Sequence, residues 1–257
     1  GEYVLAPGCT DYRKRIQYQT YDVTGLIKAG LNRLEVLLAD GWYRGSIGCF
    51  GQTNVFGRKT KLICQLELTG EDGNVDVISS DQSFRWSNDG AVRFADLKDG
   101  EVVEAGNQPS YSGKARKIKE KVIPSSADNV IIREQEHFKP ELRKTPSGKK
   151  VLDFGQNMAG LVEIRLPKLI GDRLVIRYAE TLDKDGNFYT ENLRTARCTD
   201  TFVYGEKQVG MLVMPHFTFH GFRYICVEGA GTETEASDFT ACAMHTDMQP
   251  TGTFTSD

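Results

Sequence analysis

The sequence predicts an all-β protein made of two consecutive β-sandwiches. Apolar residues alternate with polar ones along much of the chain, which is the period of a half-buried strand. Asp-Gly pairs, which tolerate the positive φ of tight turns, separate these runs, and helical periodicity is scarce. The clearest alternating runs cover residues 34–38, 62–68, 162–166 and 174–178, and the Asp-Gly pairs begin at Asp72, Asp89, Asp99 and Asp185.

Two short helices interrupt the predicted strands. The first covers residues 24–29, with Asp22 or Thr24 as its N-cap and Gly30 as its stop. The second, with a weaker pattern, covers residues 126–135.

A change in composition divides the chain into two predicted domains. A lysine-rich stretch and three prolines, at 124, 140 and 146, mark a border at residues 116–147. The first sandwich then occupies residues 1–115, where residue 1 already resembles the middle of a domain whose leading strands are missing. The second occupies residues 148–250.

Composition and charge exclude several classes of partner. The 257 residues are 39% hydrophobic and 26% charged, with 32 Lys and Arg against 35 Asp and Glu. This balance lacks the basic surplus of nucleic-acid-binding proteins and the polybasic segment of peripheral membrane proteins. We therefore expect neither nucleic acid nor membrane as a partner. The opening GEYVLAPGCT has no signal-peptide pattern, which favours a cytoplasmic location.

Cysteine and histidine spacing gives little support to a metal site or a disulfide framework. No CxxC pair occurs among the six cysteines, and Cys64, Cys226 and Cys242 lie in apolar runs typical of buried free thiols. His216 and His220 are four residues apart in a strand-like segment. At about 3.3 Å per residue they would lie roughly 13 Å apart, too far to share one ion.

Motifs for catalysis are absent from the sequence. It contains no nucleophile elbow, phosphate-binding loop or dinucleotide-binding loop. The closely spaced acids Glu101 and Glu104, and those at 180, 183 and 185, border turns and are interpreted as solvated turn residues rather than an acid–base pair. The residues alone therefore do not indicate an enzyme.

One segment has the composition of a sugar-binding surface. Trp42, Tyr43 and Arg44 stand between two glycines, and an aromatic face can stack on a sugar ring while a guanidinium binds its hydroxyls. The alternative, which we favour, is that Trp42 fills the core of the sandwich and is mostly buried.

Four long motifs carry a family resemblance that covers essentially the whole chain. YDVTGLIKAGLNRLEVLLADGWYRG at 21–45 resembles the galactose-binding-like jelly roll found beside many glycosidases. The other three follow in the family's order and resemble the accessory β-domains of bacterial α-L-rhamnosidases, glycoside hydrolase family 78. They are VLDFGQNMAGLVEIRL at 151–166, RYAETLDKDGNFYTENLRTARCTDTFVYG at 177–205 and MPHFTFHGFRYICVEG at 214–229.

The resemblance implies a role beside a catalytic domain. Such enzymes remove terminal non-reducing α-L-rhamnose by inversion, with the general acid and base in an (α/α)₆ barrel that follows these β-domains. No residue of this chain would inherit a catalytic role, and the chain alone should be inactive. Its implied partners are a rhamnose-containing glycan or glycoside and its own downstream barrel, to which the resemblance implies that residues 251–257 begin the connection.

The resemblance also implies a calcium-assisted rhamnose site in the first domain. Glu2 and Asn54 are the oxygen ligands that this sequence offers, and Tyr3 stands where an amide is expected. Calcium takes six to eight oxygens. No other cofactor is required. Asn54 thereby joins Trp42, Tyr43 and Arg44 as a predicted carbohydrate-binding residue.

The second domain contains a predicted interface in DFGQN, residues 153–157. Asp153, Gln156 and Asn157 place three polar groups in an apolar strand start, so we expect them to reach the 189–197 loop or the barrel. Arg194 is the predicted bidentate partner of Asp153. Two alternatives to a rhamnosidase region stay open: a free-standing lectin-like protein and a purely structural spacer.

Overall fold

The computed structural model describes residues 5, 8–119, 121–127 and 131–256, and they confirm the all-β prediction. Within these described ranges, helix is confined to one turn, α1 (Gly41–Arg44), and to 3-10 turns at Thr24–Leu26, Glu191–Leu193, Glu206–Gln208 and Ala236–Asp238. None of the helices among the described residues has the length and apolar character needed to cross a membrane. In chain order the strands are β1 (Gln17–Tyr18), β2 (Gln65–Thr69), β3 (Val75–Ser79), β4 (Arg85–Trp86), β5 (Val92–Asp96), β6 (Gly100–Glu104), β7 (Gly113–Lys114), β8 (Ser125–Ser126), β9 (Ile132–Phe138), β10 (Glu141–Lys144), β11 (Lys150–Arg165), β12 (Arg173–Ala179), β13 (Thr199–Val203), β14 (Leu212–Val213), β15 (His220–Glu228) and β16 (Phe239–Thr246).

One large sheet organises the molecule. Its strand order is β5-β6-β13-β12-β15-β11-β16-β9, and β10 and β14 also pair with β11. Neighbouring strands are antiparallel except β6 and β13, which are parallel. The hairpin β5–β6 therefore carries residues 92–104 into the same sheet as the strands beyond residue 131.

The sheet curls around a single apolar core. Alternate side chains of the central strands point inward, and Val162, Ile164, Leu174 and Ile176 are fully buried there. The alternating runs predicted at 162–166 and 174–178 thus lie within β11 and β12, as expected for strands with one face buried.

The DFGQN segment forms an irregularity in β11. Asp153 pairs with Tyr224 and Met158 with Phe222. Between these two pairs the chain advances five residues along β11 but only two along β15. Gly155 takes a left-handed φ of 86°, and its N–H donates to Asp153 Oδ1 at 2.8 Å. The segment therefore holds a local turn through Asp153 and Gly155.

Predictions for the first region are only partly confirmed. Asp72-Gly73 does form the turn of the β2–β3 hairpin, with φ of 79° at Gly73. Residues 34–38 do not form a strand, and among the described residues no strand pairs with them; Leu34 is 57% exposed. Without a hydrogen-bonded neighbour, alternation alone does not make a strand.

Neither predicted helix forms as expected. The first shortens to the 3-10 turn at Thr24–Leu26, where Asp22 Oδ1 accepts the N–H of Thr24 at 2.9 Å. The second is wrong: residues 125–126 form β8, which pairs with β1, and residues 132–135 begin β9, which pairs with β16.

All six cysteines are free thiols. Cys226 and Cys242 are buried as predicted, as is Cys198, whereas Cys64 is only partly buried.

Candidate functional site

The predicted sugar-binding aromatics lie on α1. Trp42 and Tyr43 are both partly buried. The Tyr43 ring meets Tyr12 edge-on, with centroids 5.7 Å apart, and packs closely over Gly57, where a Cβ would collide with the phenol. The contacts of Tyr43 are therefore those of a packing residue rather than an open platform.

A polar pocket of about 440 Å³ opens beside α1. Arg44 and Asn54 line it, whereas Trp42 and Tyr43 do not. The pocket combines three parts of the chain: the segment after α1, the end of β5 with its turn, and the loop before β13. Its lining residues are Asp40, Arg44, Gly45, Ser46, Phe50, Gly51, Thr53, Asn54, Phe94, Asp96, Asp99, Thr195 and Arg197.

Asp96 holds the floor of this pocket together. Its buried carboxylate accepts the N–H of Ser46 on Oδ2 at 2.6 Å. On Oδ1 it accepts the N–H groups of Lys98 and Asp99 at 2.9 and 3.1 Å. The loop before β13 is attached from the other side, because Thr195 Oγ1 donates to the carbonyl of Cys49 at 3.1 Å. Backbone N–H donors stabilise a buried carboxylate. The Asp96 hydrogen bonds therefore hold the segment after α1 and the turn after β5 in place beside the pocket.

Opposite charges face each other across the rest of the pocket. Arg44 Nε lies 3.0 Å from Asp40 Oδ1, and Arg197 Nε lies 3.4 Å from Asp99 Oδ2. Burial raises the pKa of Asp40, Arg44 opposes that rise, and the Asp96 charge adds to it. Carboxylates accept and guanidiniums donate hydrogen bonds, so the pocket can bind adjacent hydroxyl groups.

Two phenylalanines add an apolar surface to this pocket. Phe50 is 87% exposed at its edge. The Arg197 guanidinium lies over the Phe94 ring at 5.0 Å from its centroid. Phe50 therefore offers an open ring face, whereas Trp42, which the sequence predicted to be mostly buried in the core, is only partly buried.

The predicted calcium ligands are described only in part. Glu2 lies outside the described residues. Asn54 is exposed, with a left-handed φ of 58°; its backbone N–H donates to the Arg44 carbonyl at 2.8 Å and its amide donates to Thr53 Oγ1 at 3.2 Å. The calcium site stays a prediction.

The predicted pairing of Asp153 with Arg194 is wrong. Asp153 is buried and binds Arg223 bidentately, at 2.8 and 3.0 Å, while Arg143 Nε approaches its Oδ2 to 2.9 Å. Arg194 is exposed and takes a φ of 55° in its loop. The register explains the difference: β15 places Tyr224 opposite Asp153, which brings Arg223 beside it.

Electrostatics around Asp153 favour its charged form. Burial raises the pKa of this carboxyl, but the hydrogen bonds from Arg223 and Gly155, together with the charge of Arg143, lower it below its usual value. The other two polar residues of the segment, Gln156 and Asn157, are exposed on the bulge. They are thus placed to contact another surface.

A buried polar cluster joins the β5–β6 hairpin to the main sheet. Asp200 is its centre: Oδ2 accepts the Tyr178 hydroxyl at 2.6 Å and lies 3.2 Å from His220 Nε2, and Oδ1 accepts the N–H of Glu101 at 2.8 Å. Tyr178 and His220 stack at 4.0 Å. Glu101 Oε1 accepts the N–H groups of His216 and Phe217.

The cluster shifts the pKa values of its members. Burial raises the pKa of Glu101 to about 7, although the N–H groups of Phe217 and His216 oppose the rise. Burial lowers the pKa of His220, but the charge and hydrogen bond of Asp200 outweigh it and raise that pKa to about 9. Glu101, Asp200 and His220 are all fully buried, so this cluster is structural rather than a substrate site.

Sequence reasoning missed this cluster for a definable reason. Glu101 was interpreted as a solvated turn residue and is instead 0% exposed. Polar residues at inward positions of alternating runs, such as Asp200 two residues before the buried Phe202, are the signal that could have indicated it. At the second acid-rich turn the interpretation is confirmed, since Asp183 Oδ1 accepts the N–H groups of Asp185 and Asn187 at 2.9 and 2.7 Å.

Two family models match the sequence in succession. The model of the α-L-rhamnosidase N-terminal domain matches residues 1–138, and that of the bacterial α-L-rhamnosidase concanavalin-like domain matches residues 143–245. An α-L-rhamnosidase of Streptomyces avermitilis is 36% identical over an alignment of 260 positions that covers 96% of this chain and 25% of that protein. One from Formosa agariphila is 33% identical over an alignment of 271 positions that covers 98% of this chain and 29% of the relative.

Solved structures of similar proteins share this fold. The Streptomyces avermitilis α-L-rhamnosidase complexed with L-rhamnose superimposes with a TM-score of 0.85 at 34% identity, covering 96% of this chain and 25% of that one. The Aspergillus terreus α-L-rhamnosidase superimposes with a TM-score of 0.80 at 31% identity, covering 97% of this chain and 30% of that one. The chain therefore spans about a quarter to a third of the length of the relatives it matches.

Proposed function

Because this chain belongs to the bacterial α-L-rhamnosidase family, we propose that it is a non-catalytic β-region of such an enzyme that binds rhamnose-containing glycans through the pocket beside α1. The observation that carries the proposal is the convergence of Arg44, Asn54 and Phe50 with the loop that holds Arg197. Rhamnose is a deoxyhexose with adjacent hydroxyls and a methyl group. The polar pairs suit the hydroxyls, and the exposed ring suits the methyl and C–H surface.

Catalysis belongs, in this proposal, to the remainder of a longer enzyme. Inverting glycosidases need an acid and a base on opposite sides of the sugar. The acids that this fold buries are engaged in internal hydrogen bonds: Asp96, Glu101, Asp153 and Asp200. The general acid and base would lie in the barrel that the family resemblance implies. Gln156 and Asn157, exposed on the β11 bulge, are the proposed contact with it.

Isothermal titration of the chain with L-rhamnose, with and without calcium, tests the binding. We expect saturable binding that Phe50→Ala weakens by up to roughly tenfold, or about 1.4 kcal/mol, near the upper end for an aromatic contact. Phe254→Ala is the matched control, because Phe254 is 91% exposed and does not line the pocket. Loss of binding after calcium removal would support the predicted ion near Asn54.

A second measurement addresses the absence of catalysis. The pure chain is expected not to hydrolyse an aryl α-L-rhamnoside. Turnover above that of buffer would place an acid–base pair in these residues and overturn the division of labour. If the chain does not bind rhamnose either with or without calcium, the binding proposal fails and the alternative of a purely structural spacer is favoured.

A further inference from the structure

A mixed group of side chains lies at the edge of the main sheet, far along the chain from the pocket beside α1. The edge strand β9 pairs with β16 so that His137 is opposite Cys242 and Glu134 is opposite Met244. The neighbours Ala241 and Ala243 belong to the apolar core, so Cys242 points to the opposite face of the sheet. His137 and Glu134 therefore meet the thiol on this outer face.

A bulge brings these side chains together. Residues three apart in a regular strand point to opposite faces, which would separate Glu134 from His137. Between these two positions β9 advances three residues while β16 advances two, from Cys242 to Met244. The extra residue turns both side chains toward Cys242, as a β-bulge does when it redirects a side chain.

The three ligand atoms are close to one another. His137 Nε2 lies 3.9 Å from Glu134 Oε2. One ring nitrogen of His137, one carboxylate oxygen of Glu134 and Cys242 Sγ all lie within 4.8 Å of one another. A point equidistant from three atoms at such separations lies about 2.3–2.8 Å from each, against about 2.0–2.3 Å for zinc bonds to N, O and S. His137 and Glu134 are exposed enough, at 54% and 34% of their side chains, to close this difference by rotation.

We propose that Glu134, His137 and Cys242 form a binding site for a zinc-class transition-metal ion. Thiolate, imidazole and carboxylate together favour Zn²⁺ or Co²⁺ over Ca²⁺ or Mg²⁺, which take oxygen ligands. Three protein ligands leave the fourth tetrahedral position to water. The ion would join the edge strand β9 to β16 and stabilise that edge.

The charges around the thiol suit a cation. Burial raises the pKa of Cys242 to about 11, and the charges of Glu134 and Glu163 add to this, whereas Lys139 opposes them. The incoming ion forms the metal–sulfur bond as the S–H bond breaks, and the proton leaves to solvent.

Titration of the chain with Co²⁺ tests the proposal. We expect one equivalent to bind with the ultraviolet charge-transfer absorption of a thiolate–cobalt bond. That absorption should be absent in Cys242→Ser. His137→Ala, at an exposed position, should weaken binding by at least roughly tenfold, the least that loss of even an outer-shell partner costs a metal site.

A matched variant on the next strand controls for surface histidines. His245 lies 3.8 Å from Glu136 on the same two strands, and His245→Ala should leave Co²⁺ binding unchanged. Zn²⁺ should displace Co²⁺ and raise the Tm of the parent chain and of His245→Ala, but not of His137→Ala. Absence of stoichiometric binding, or equal binding by His137→Ala and the parent chain, would overturn the site. If Cys242→Ser fails to fold, the comparison of His137→Ala with the parent chain still decides whether the site exists.

Discussion

The regions before and after Ala95 use the same alternating pattern with opposite results. Among described residues up to 94, only Gly45 and Ser46 are buried, and Leu31 is 98% exposed. Every buried apolar side chain of the described chain lies between residues 95 and 244. Alternation is therefore necessary for a half-buried strand but not sufficient, because burial also needs a sheet whose face meets an opposing layer.

Pairing explains this difference. The strand β11 pairs with β10, β14, β15 and β16, and its inward side chains meet a curled sheet on all sides. The hairpin β2–β3 is a separate two-stranded sheet, with Val75, Val77 and Ile78 more than half exposed. Two strands alone are marginal in water.

The largest expected effect separates the two regions directly. Phe222 is fully buried and meets Phe154 and Tyr178 edge-on, so Phe222→Ala should lower the free energy of unfolding by about 3–5 kcal/mol. Leu31→Ala removes a fully exposed side chain and should change it by less than about 0.5 kcal/mol. Urea denaturation followed by circular dichroism measures both. Equal losses would show that the first region has a packed core of its own.

The next prediction concerns the partner of Asp153. Arg223→Ala removes two charged hydrogen bonds to a buried carboxylate and should cost about 1.5–3 kcal/mol, since Arg143 keeps part of the pairing. Arg194→Ala, at the position that the sequence had favoured, should stay within about 0.5 kcal/mol. The same urea titrations decide between them, and a larger effect at Arg194 would contradict the observed register.

How far the sequence could predict the molecule follows from these cases. Local patterns determine β11, β12 and the Asp72-Gly73 turn, because alternation and a positive-φ glycine act within a few residues. The choice of Arg223 over Arg194 depends on strand register, which no local pattern encodes. For the pocket, Arg44 was predicted from its local segment and Asn54 from the family resemblance. Phe50 lies between them and was missed, whereas Arg197 comes from a distant segment that no local pattern places there.

A rise in pH should lower the free energy of unfolding of the region after Ala95 through its buried polar cluster. Glu101 and His220 both have folded-state pKa values above their usual ones, about 7 against 4.5 and about 9 against 6.5. Each therefore contributes stability that is present below its usual pKa and lost as the pH rises through the folded value. Asp200, Tyr178 and Cys198 are the other titratable groups facing them.

Stability should accordingly fall from about pH 5 to about pH 9. Urea midpoints across this range measure the trend. Glu101→Gln should flatten the part between about pH 4.5 and 7, whereas Glu104→Gln, at an exposed position on the same strand, should leave it unchanged. A profile that rises with pH would contradict the assignment.

The smallest expected effect is at Gly73, in one Asp-Gly turn, and it is compared with Gly100 in another. Gly73 and Gly100 both take positive φ, 79° and 100°, so alanine at either position costs about 1–3 kcal/mol of local strain. Around Gly73 there is open space and the hairpin is isolated, so local opening can relieve the strain. At Gly100 a Cβ would collide with the Thr199 carbonyl where β6 joins β13, and no local opening is available.

Gly73→Ala should therefore change the global free energy of unfolding by less than about 0.5 kcal/mol while speeding amide exchange in β2 and β3. Gly100→Ala should lower it by the full strain or more. A global loss at Gly73 as large as that at Gly100 would mean that the β2–β3 hairpin unfolds together with the main sheet.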